Sequence, residues 1–151
     1  MSTRGSPRPM PCIDSVMTPF PYAIDLDRHL GDAQRLLAGR FIHHLPVTNQ
    51  GEVYSVLSSR DLERALARPD ADPWQIEIRD VCSKDPYIVD VSEPLDVVLS
   101  QMAARDIGCA VVAKDDRVAG IFTAVDACRH FAEWLRRERL TDPPATQRDT
   151  L

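Results

Sequence analysis

At 151 residues with 44% apolar side chains, the chain is long enough to bury a core in one domain or in two small units that share one. Its 18 basic and 23 acidic residues leave a net charge of -5, which excludes a broad electrostatic footprint on DNA, RNA or an anionic bilayer. No stretch has the length of a membrane span, and Met1 to Pro11 is polar and Pro-rich where a secretory signal would be apolar; a cytoplasmic protein is expected.

Residues 1–12 and 140–151 lack the apolar residues needed to pack and are expected to be disordered tails. Between them, sliding the chain against itself superposes Ile13 to Arg64 on Ile78 to Arg129 without a gap. Identities include Ile13/Ile78, Pro21/Pro86, Tyr22/Tyr87, Leu30/Leu95, Arg40/Arg105, Ile42/Ile107, Val47/Val112 and Asp61/Asp126, about a quarter of the positions. The chain is therefore a tandem repeat of one βαββα unit, copy one over 13–68, a Pro-broken linker over 69–77, and copy two over 78–139.

In copy two, Pro86 to Val91 reads as a short strand, and Ser92-Glu-Pro-Leu95 as an N-cap with proline in the first helical turn. Leu95, Val98, Leu99 and Met102 then form one apolar stripe, ended near Gly108. Cys109 to Ala113 and Val118 to Phe122 flank the polar turn Lys114 to Arg117 as a buried hairpin, matched in copy one around Asn49-Gln-Gly51. A helix follows each hairpin, at Ser59–Ala67 and at Ala124–Arg139; the second carries Ala127, Phe131, Trp134 and Leu135 on one side.

The chemistry-bearing pattern is Gly120-Ile-Phe-Thr123-Ala-Val-Asp126, with Ser55-Val-Leu-Ser58-Ser-Arg-Asp61 in the first copy. Each puts a hydroxyl at a strand end and a carboxylate three residues on, in the first turn of a helix. A phosphate suits such a place, because free backbone N–H groups and the positive end of the helix dipole point out of the helix start. The carboxylate would repel that phosphate and is better used on a ribose diol. The same residues also make an ordinary helix cap in proteins that bind nothing. Gly120 would let a ligand approach the backbone closely, and so ranks the Thr123/Asp126 site ahead of the Ser58/Asp61 site, where Ser55 stands instead. Copy one offers Arg60, His43 and His44 as donors, and copy two Lys84; a triphosphate suits the former, a monophosphate either.

The two Gly/Ser-x-x-Thr/Ser-x-x-Asp segments at equal phase, the hairpin of the Leu45-Pro-Val47 kind and the duplication resemble the CBS-domain family over about residues 13–131. The resemblance implies a stand-alone CBS-domain pair, or Bateman module: an α/β (α+β) fold with two small mixed sheets flanked by helices and packed with pseudo-twofold symmetry. It implies clefts that bind AMP, ADP or ATP and regulate an unknown effector protein, with no catalytic residues, no cofactor and no metal. By resemblance, Asp126 and Asp61 contact ribose hydroxyls, Thr123 and Ser58 contact phosphate, and the base lies against Tyr87 to Val89 or Tyr22 to Ile24. Gly108 and Cys109, at the strand start equivalent to His43 and His44, line the cleft. A homodimer through helix faces is expected, and the alternative is a ligand-free interaction module with vestigial clefts. Cys12, Cys82, Cys109 and Cys128 are too widely spaced for a disulfide framework and are expected to be reduced thiols.

Overall fold

The computed structural model describes residues 8–141. The C-terminal tail expected from 140 lies outside the described residues from 142 onward, and so do residues 1–7 of the N-terminal one. The described part of that N-terminal tail is bonded into the fold: Leu95 N–H donates to Pro11 O at 2.9 Å, and Cys12 forms a β-bridge with Pro94.

Copy one supplies β1 (Thr18–Pro19), β2 (Ile24–Asp25), α1 (Leu30–Arg40), β3 (His44–Asn49), β4 (Glu52–Ser58) and α2 (Ser59–Leu66). Copy two supplies α3 (Ile78–Val81), β5 (Ile88–Asp90), α4 (Leu95–Ala104), β6 (Cys109–Lys114), β7 (Arg117–Thr123) and α5 (Ala124–Thr141). In each copy a short strand runs parallel to the next through a crossover helix, and that second strand pairs antiparallel with the third. The sheets are β2-β3-β4 and β1-β7-β6-β5, so the mixed α+β architecture expected from the sequence is present.

β1 belongs to the first copy by sequence yet pairs with β7 of the second, Thr18 opposite Ile121 and Pro19 opposite Gly120. The segment before it, a 3-10 turn at Ile13–Ser15, buries Ile13 among Val89, Val98, Met102, Val112 and Phe122. The reciprocal exchange occurs at the start of copy two, where α3 sets Ile78 and Cys82 into the core of Leu30, Leu37, Leu45, Val47 and Leu57. The backbone bonds that seat the two lead-in segments are equivalent under the repeat. Ile13 N–H donates to Glu93 O and Ile78 N–H to Arg28 O, both at 2.9 Å, and the Cys12–Pro94 bridge answers the His29–Glu77 bridge. Each wholly buried isoleucine contributes about 2 kcal/mol to the opposite half.

Local differences from the sequence reading have simple causes. The cap of α4 is Pro94, because Ser92 is held by Asp90, whose Oδ1 accepts from both its N–H and its Oγ. Leu99 is more than a third exposed, so the α4 stripe is Val98 and Met102 with Leu95 at its edge. In the linker, Trp74 lies flat against Gly31 beneath the Arg35 guanidinium at 4.7 Å, and Gly31 N–H donates to Pro73 O. That anchor was hidden by the polar, Pro-rich residues around it.

Gly120 is set by packing. A Cβ there would run into the Met17 side chain, with Cγ at 2.8 Å, and would stand 3.0 Å from Thr18 O. The equivalent Ser55 is tolerated because Cys82 replaces Met17 in the repeat, and its Oγ donates to Ser83 O at 2.6 Å. Gly120→Ala should therefore destabilise the protein by about 1–3 kcal/mol, read as a fall in the urea midpoint. Met17→Ala in the same chain should recover part of the loss; a neutral Gly120→Ala would mean that the lead-in segment is not packed this way.

Candidate functional site

The strand-to-helix junctions of the two copies are built alike. Ser58 Oγ accepts from Asp61 N–H at 3.1 Å and donates to Asp61 Oδ2 at 2.7 Å, while Ser58 N–H donates to the same Oδ2 at 3.0 Å. Thr123 and Asp126 repeat these bonds at 3.2, 2.8 and 2.9 Å. Ser59 N–H donates to His43 O and Ala124 N–H to Gly108 O. The donors that the sequence reading reserved for phosphate are thus largely used within the protein, and both helix starts are closed capping boxes.

The two junctions differ in what their carboxylates have left. Asp126 Oδ1 accepts from Arg129 Nη1 at 2.9 Å. Asp61 Oδ1 accepts no hydrogen bond from the described residues, so it is the carboxylate oxygen of the pair open to a ligand.

Two cavities adjoin these junctions, and each is assembled from both copies. One, about 580 Å³, sets Ser58, Arg60 and Asp61 of copy one against Ser83, Asp85 to Tyr87 and Ile107 to Cys109 of copy two. The other, about 400 Å³, sets Thr123, Asp126 and Arg129 against Thr18, Phe41 and Ile42. His43, His44, Gly108 and Val125 line both, because the start of β3 and the start of β6 meet at the pseudo-twofold axis.

Of the residues singled out in the sequence, Ser58, Arg60, Asp61, His43, His44, Tyr87, Gly108 and Cys109 share the larger cleft. Thr123 and Asp126 share the smaller one with His43, His44 and Gly108. Tyr22, Ile24, Lys84, Val89 and Gly120 line neither. Ile24 and Val89 are buried in the two cores, Lys84 turns away to donate to Arg79 O, and Gly120 faces Met17. Tyr22 stacks under the Arg40 guanidinium at 4.5 Å, as Tyr87 does under Arg105 at 5.0 Å. Arg105 also donates to Asp85 O at 3.2 Å, so it pins the Asp85 to Tyr87 wall of the larger cleft. Grouping candidate residues by copy misses this crossed assembly. Its one sequence signal was the equal phase of Tyr87 with Tyr22 and of Arg105 with Arg40.

Electrostatically the axis is uneven. Burial, helped by neighbouring His43 and Arg60, holds the His44 imidazole below its ordinary pKa, while Asp61 and Asp126 pull it back up. Cys109, which occupies the equivalent place in copy two, is buried, and burial with the nearby Asp126 pushes its thiol up to about 12. The histidine on one side of the axis is held below its ordinary value, and the cysteine on the other is pushed above its own.

A duplicated α+β chain with two clefts on one pseudo-twofold axis, each walled by both repeats, is a tandem-repeat module whose clefts belong to the pair. The profile of the CBS domain matches residues 13–68 and again 78–133, and the chain belongs to the CBS-domain family as a CBS-domain pair. The comparison with curated proteins finds no match. Among solved structures, a putative acetoin utilization protein (AcuB) from Vibrio cholerae is 24% identical with a TM-score of 0.76, over 89% of this chain and 99% of that one. The CBS domain pair of protein MJ0100, solved with 5′-methylthioadenosine and S-adenosyl-L-methionine, is 24% identical with a TM-score of 0.74, over 83% and 99%. The CBS domain of a bacterial CNNM/CorC family Mg2+ transporter, solved with ATP, is 20% identical with a TM-score of 0.70, over 80% and 87%. These likenesses share the fold. No helix among the described residues is long and apolar enough to cross a membrane.

A thiolate, not a thiol, attacks a disulfide reagent, so Cys109 should be silent to Ellman's reagent at pH 8 in the folded protein. Cys128, exposed on α5, should react quickly under the same conditions. Rapid labelling of Cys109 in a Cys128→Ser variant, with Cys12 also replaced, would show that the axis is open to solvent.

Proposed function

We propose that the chain is a regulatory module that binds an adenosine nucleotide in the cleft beside Ser58 and Asp61, and so alters a surface read by a partner protein. The observation that carries the reading is the unshared Asp61 Oδ1 in a cavity of about 580 Å³, with Arg60 and Tyr87 around it. That volume lies within the range that holds small ligands. Asp61 Oδ1 accepts from the ribose diol without disturbing the cap, the Arg60 guanidinium faces the phosphate, and Tyr87 with Ile107 flanks the base. The relatives solved with 5′-methylthioadenosine, S-adenosyl-L-methionine and ATP support an adenosine ligand. Among the described residues, Arg60 is the one arginine or lysine lining this cleft, against the carboxylates of Asp61, Asp85 and Asp106. A monophosphate therefore suits it better than a triphosphate, and AMP is favoured over ATP. The smaller cleft, with Asp126 already engaged by Arg129, is the weaker second site.

A ligand at about 100 times its Kd stabilises the folded state by about 2.7 kcal/mol. Thermal denaturation with AMP, ADP, ATP, NAD or S-adenosylmethionine should show the largest upward shift with AMP. Asp61→Ala should abolish most of it and Asp126→Ala little. No shift with any of the five would refute the reading.

A second reading is an interaction module that pairs two copies through helix faces. α5 supports it: Phe131 and Trp134 stack at 5.8 Å on the exposed surface, with Leu135 and Val125 also exposed. Sedimentation should find a homodimer at micromolar concentration, weakened by Phe131→Ser with Trp134→Ser. An unchanged dimer would place the contact elsewhere, and a wild-type monomer would remove this reading.

A further inference from the structure

His44 stands where β3 begins, across its ladder from Ser58, at the meeting point of both cavities. Its imidazole lies beside Gly108 at the opposite strand start: a Cβ on residue 108 would stand 3.6 Å from His44 Nε2, an ordinary van der Waals contact. The charged and titratable groups around it come from every element at the axis. They are His43 beside it, Arg60 and Asp61 from α2, Asp126 and its partner Arg129 from α5, and the Cys109 thiol from β6, with Asp85, Tyr87 and Asp106 lining the larger cleft.

We infer that His44 is a wall common to both clefts that takes up a proton when an anion occupies either one, so that each cleft senses the other's occupancy. The inference rests on the nucleotide reading above. Before a ligand arrives, His44 is neutral at pH 7, since burial and the His43 and Arg60 charges outweigh the pull of the two carboxylates. A phosphate entering either cleft adds negative charge beside the ring and raises its pKa. The proton comes from solvent and converts imidazole to imidazolium, offsetting part of the repulsion that a second anion would meet in the other cleft. The sign follows. The bound-state pKa exceeds the free one, so affinity rises as pH falls through the bound value and levels off below the free value. Cys109, at the equivalent place, cannot share this role because its thiol stays protonated throughout that window.

The test compares the full chain with His44→Gln, which keeps the size of the side chain. AMP titrations by calorimetry at pH 7.0, in buffers of different ionisation enthalpy, should show a fraction of a proton taken up by the parent. His44→Gln should lose that fraction, the residue being due to the phosphate's own titration. From pH 8.0 to 6.5, AMP affinity should strengthen about threefold more in the parent than in the variant. Independently of any ligand, the imidazole resonances of His44 should titrate at a lower pH in Asp61→Asn and also in Asp126→Asn. AMP binding with the same proton uptake in His44→Gln overturns the inference and leaves the nucleotide reading standing. No AMP binding overturns the inference, and the nucleotide reading falls with it when ADP, ATP, NAD and S-adenosylmethionine also fail to bind. A His44 titration unmoved by either carboxylate variant overturns the common wall whatever AMP does.

Discussion

The reciprocal exchange of lead-in segments is the constraint on which the rest of the structure depends. Neither copy closes its own core: Ile13 completes the half built on β5, β6 and β7, and Ile78 completes the half built on β2, β3 and β4. Each is fully buried, so removing either leaves a hole in the other copy rather than in its own. A repeat that depended only on a shared interface could separate into two domains at modest cost. Here separation would strip a core residue from each half, and the halves are bound to unfold together.

The same exchange makes the clefts. Because each lead-in segment crosses to the other sheet, the residues that follow it, Thr18 in one copy and Ser83 with Asp85 to Tyr87 in the other, face the opposite copy's helix start. Symmetry of backbone then frames asymmetry of chemistry. Arg60 corresponds to Val125, Asp106 to Phe41, and His44 to Cys109. The larger cleft is consequently the more polar of the two and carries an unshared carboxylate oxygen, whereas the smaller is lined by Phe41, Ile42, Ile121 and Val125 around an engaged one. Val125 also reaches the larger cleft, so the distinction is one of balance between two sites that touch.

The duplication, the hairpins and the helix starts were legible because they rest on local signals: alternation and turn residues such as Gly51, which adopts a positive φ at the tip of the first hairpin. The hydroxyl and carboxylate of each junction were likewise legible, and both turned out to form the cap that those residue types form in any helix. What the sequence could not disclose was partnership across copies. Gly120 looked like an opening for a ligand, yet the side chain it accommodates is Met17, more than a hundred positions away. Tyr87 belongs to the same copy as Asp126 and stands instead in the cleft of Asp61. Periodicity identifies which face of an element is apolar; it says nothing about which repeat that face will meet. Trp74 escaped notice for a related reason, since a lone aromatic in a polar linker has no periodic neighbour to mark it.

The closed capping boxes bear on how such a site works. If a ligand had to take the helix-start donors from Ser58 and Asp61, binding would first cost a cap, about 1 kcal/mol of helix stability. With Oδ2 committed to the cap and Oδ1 free, Asp61 can serve helix and ligand at once, so the cleft is organised before anything enters it. Little of the binding free energy is then diverted into ordering the junction, and what remains acts between the copies, since each cleft is walled by both. The exchanged isoleucines meanwhile oppose any wide opening of the two halves. On the proposed reading, a ligand is therefore expressed as small shifts and changes of charge at the axis and the adjoining helix faces, rather than as a hinge motion. On the same reading a partner recognises those faces, and α5, which begins in the clefts at Val125 and Asp126 and runs out to the exposed Phe131 and Trp134, is the element that connects the two.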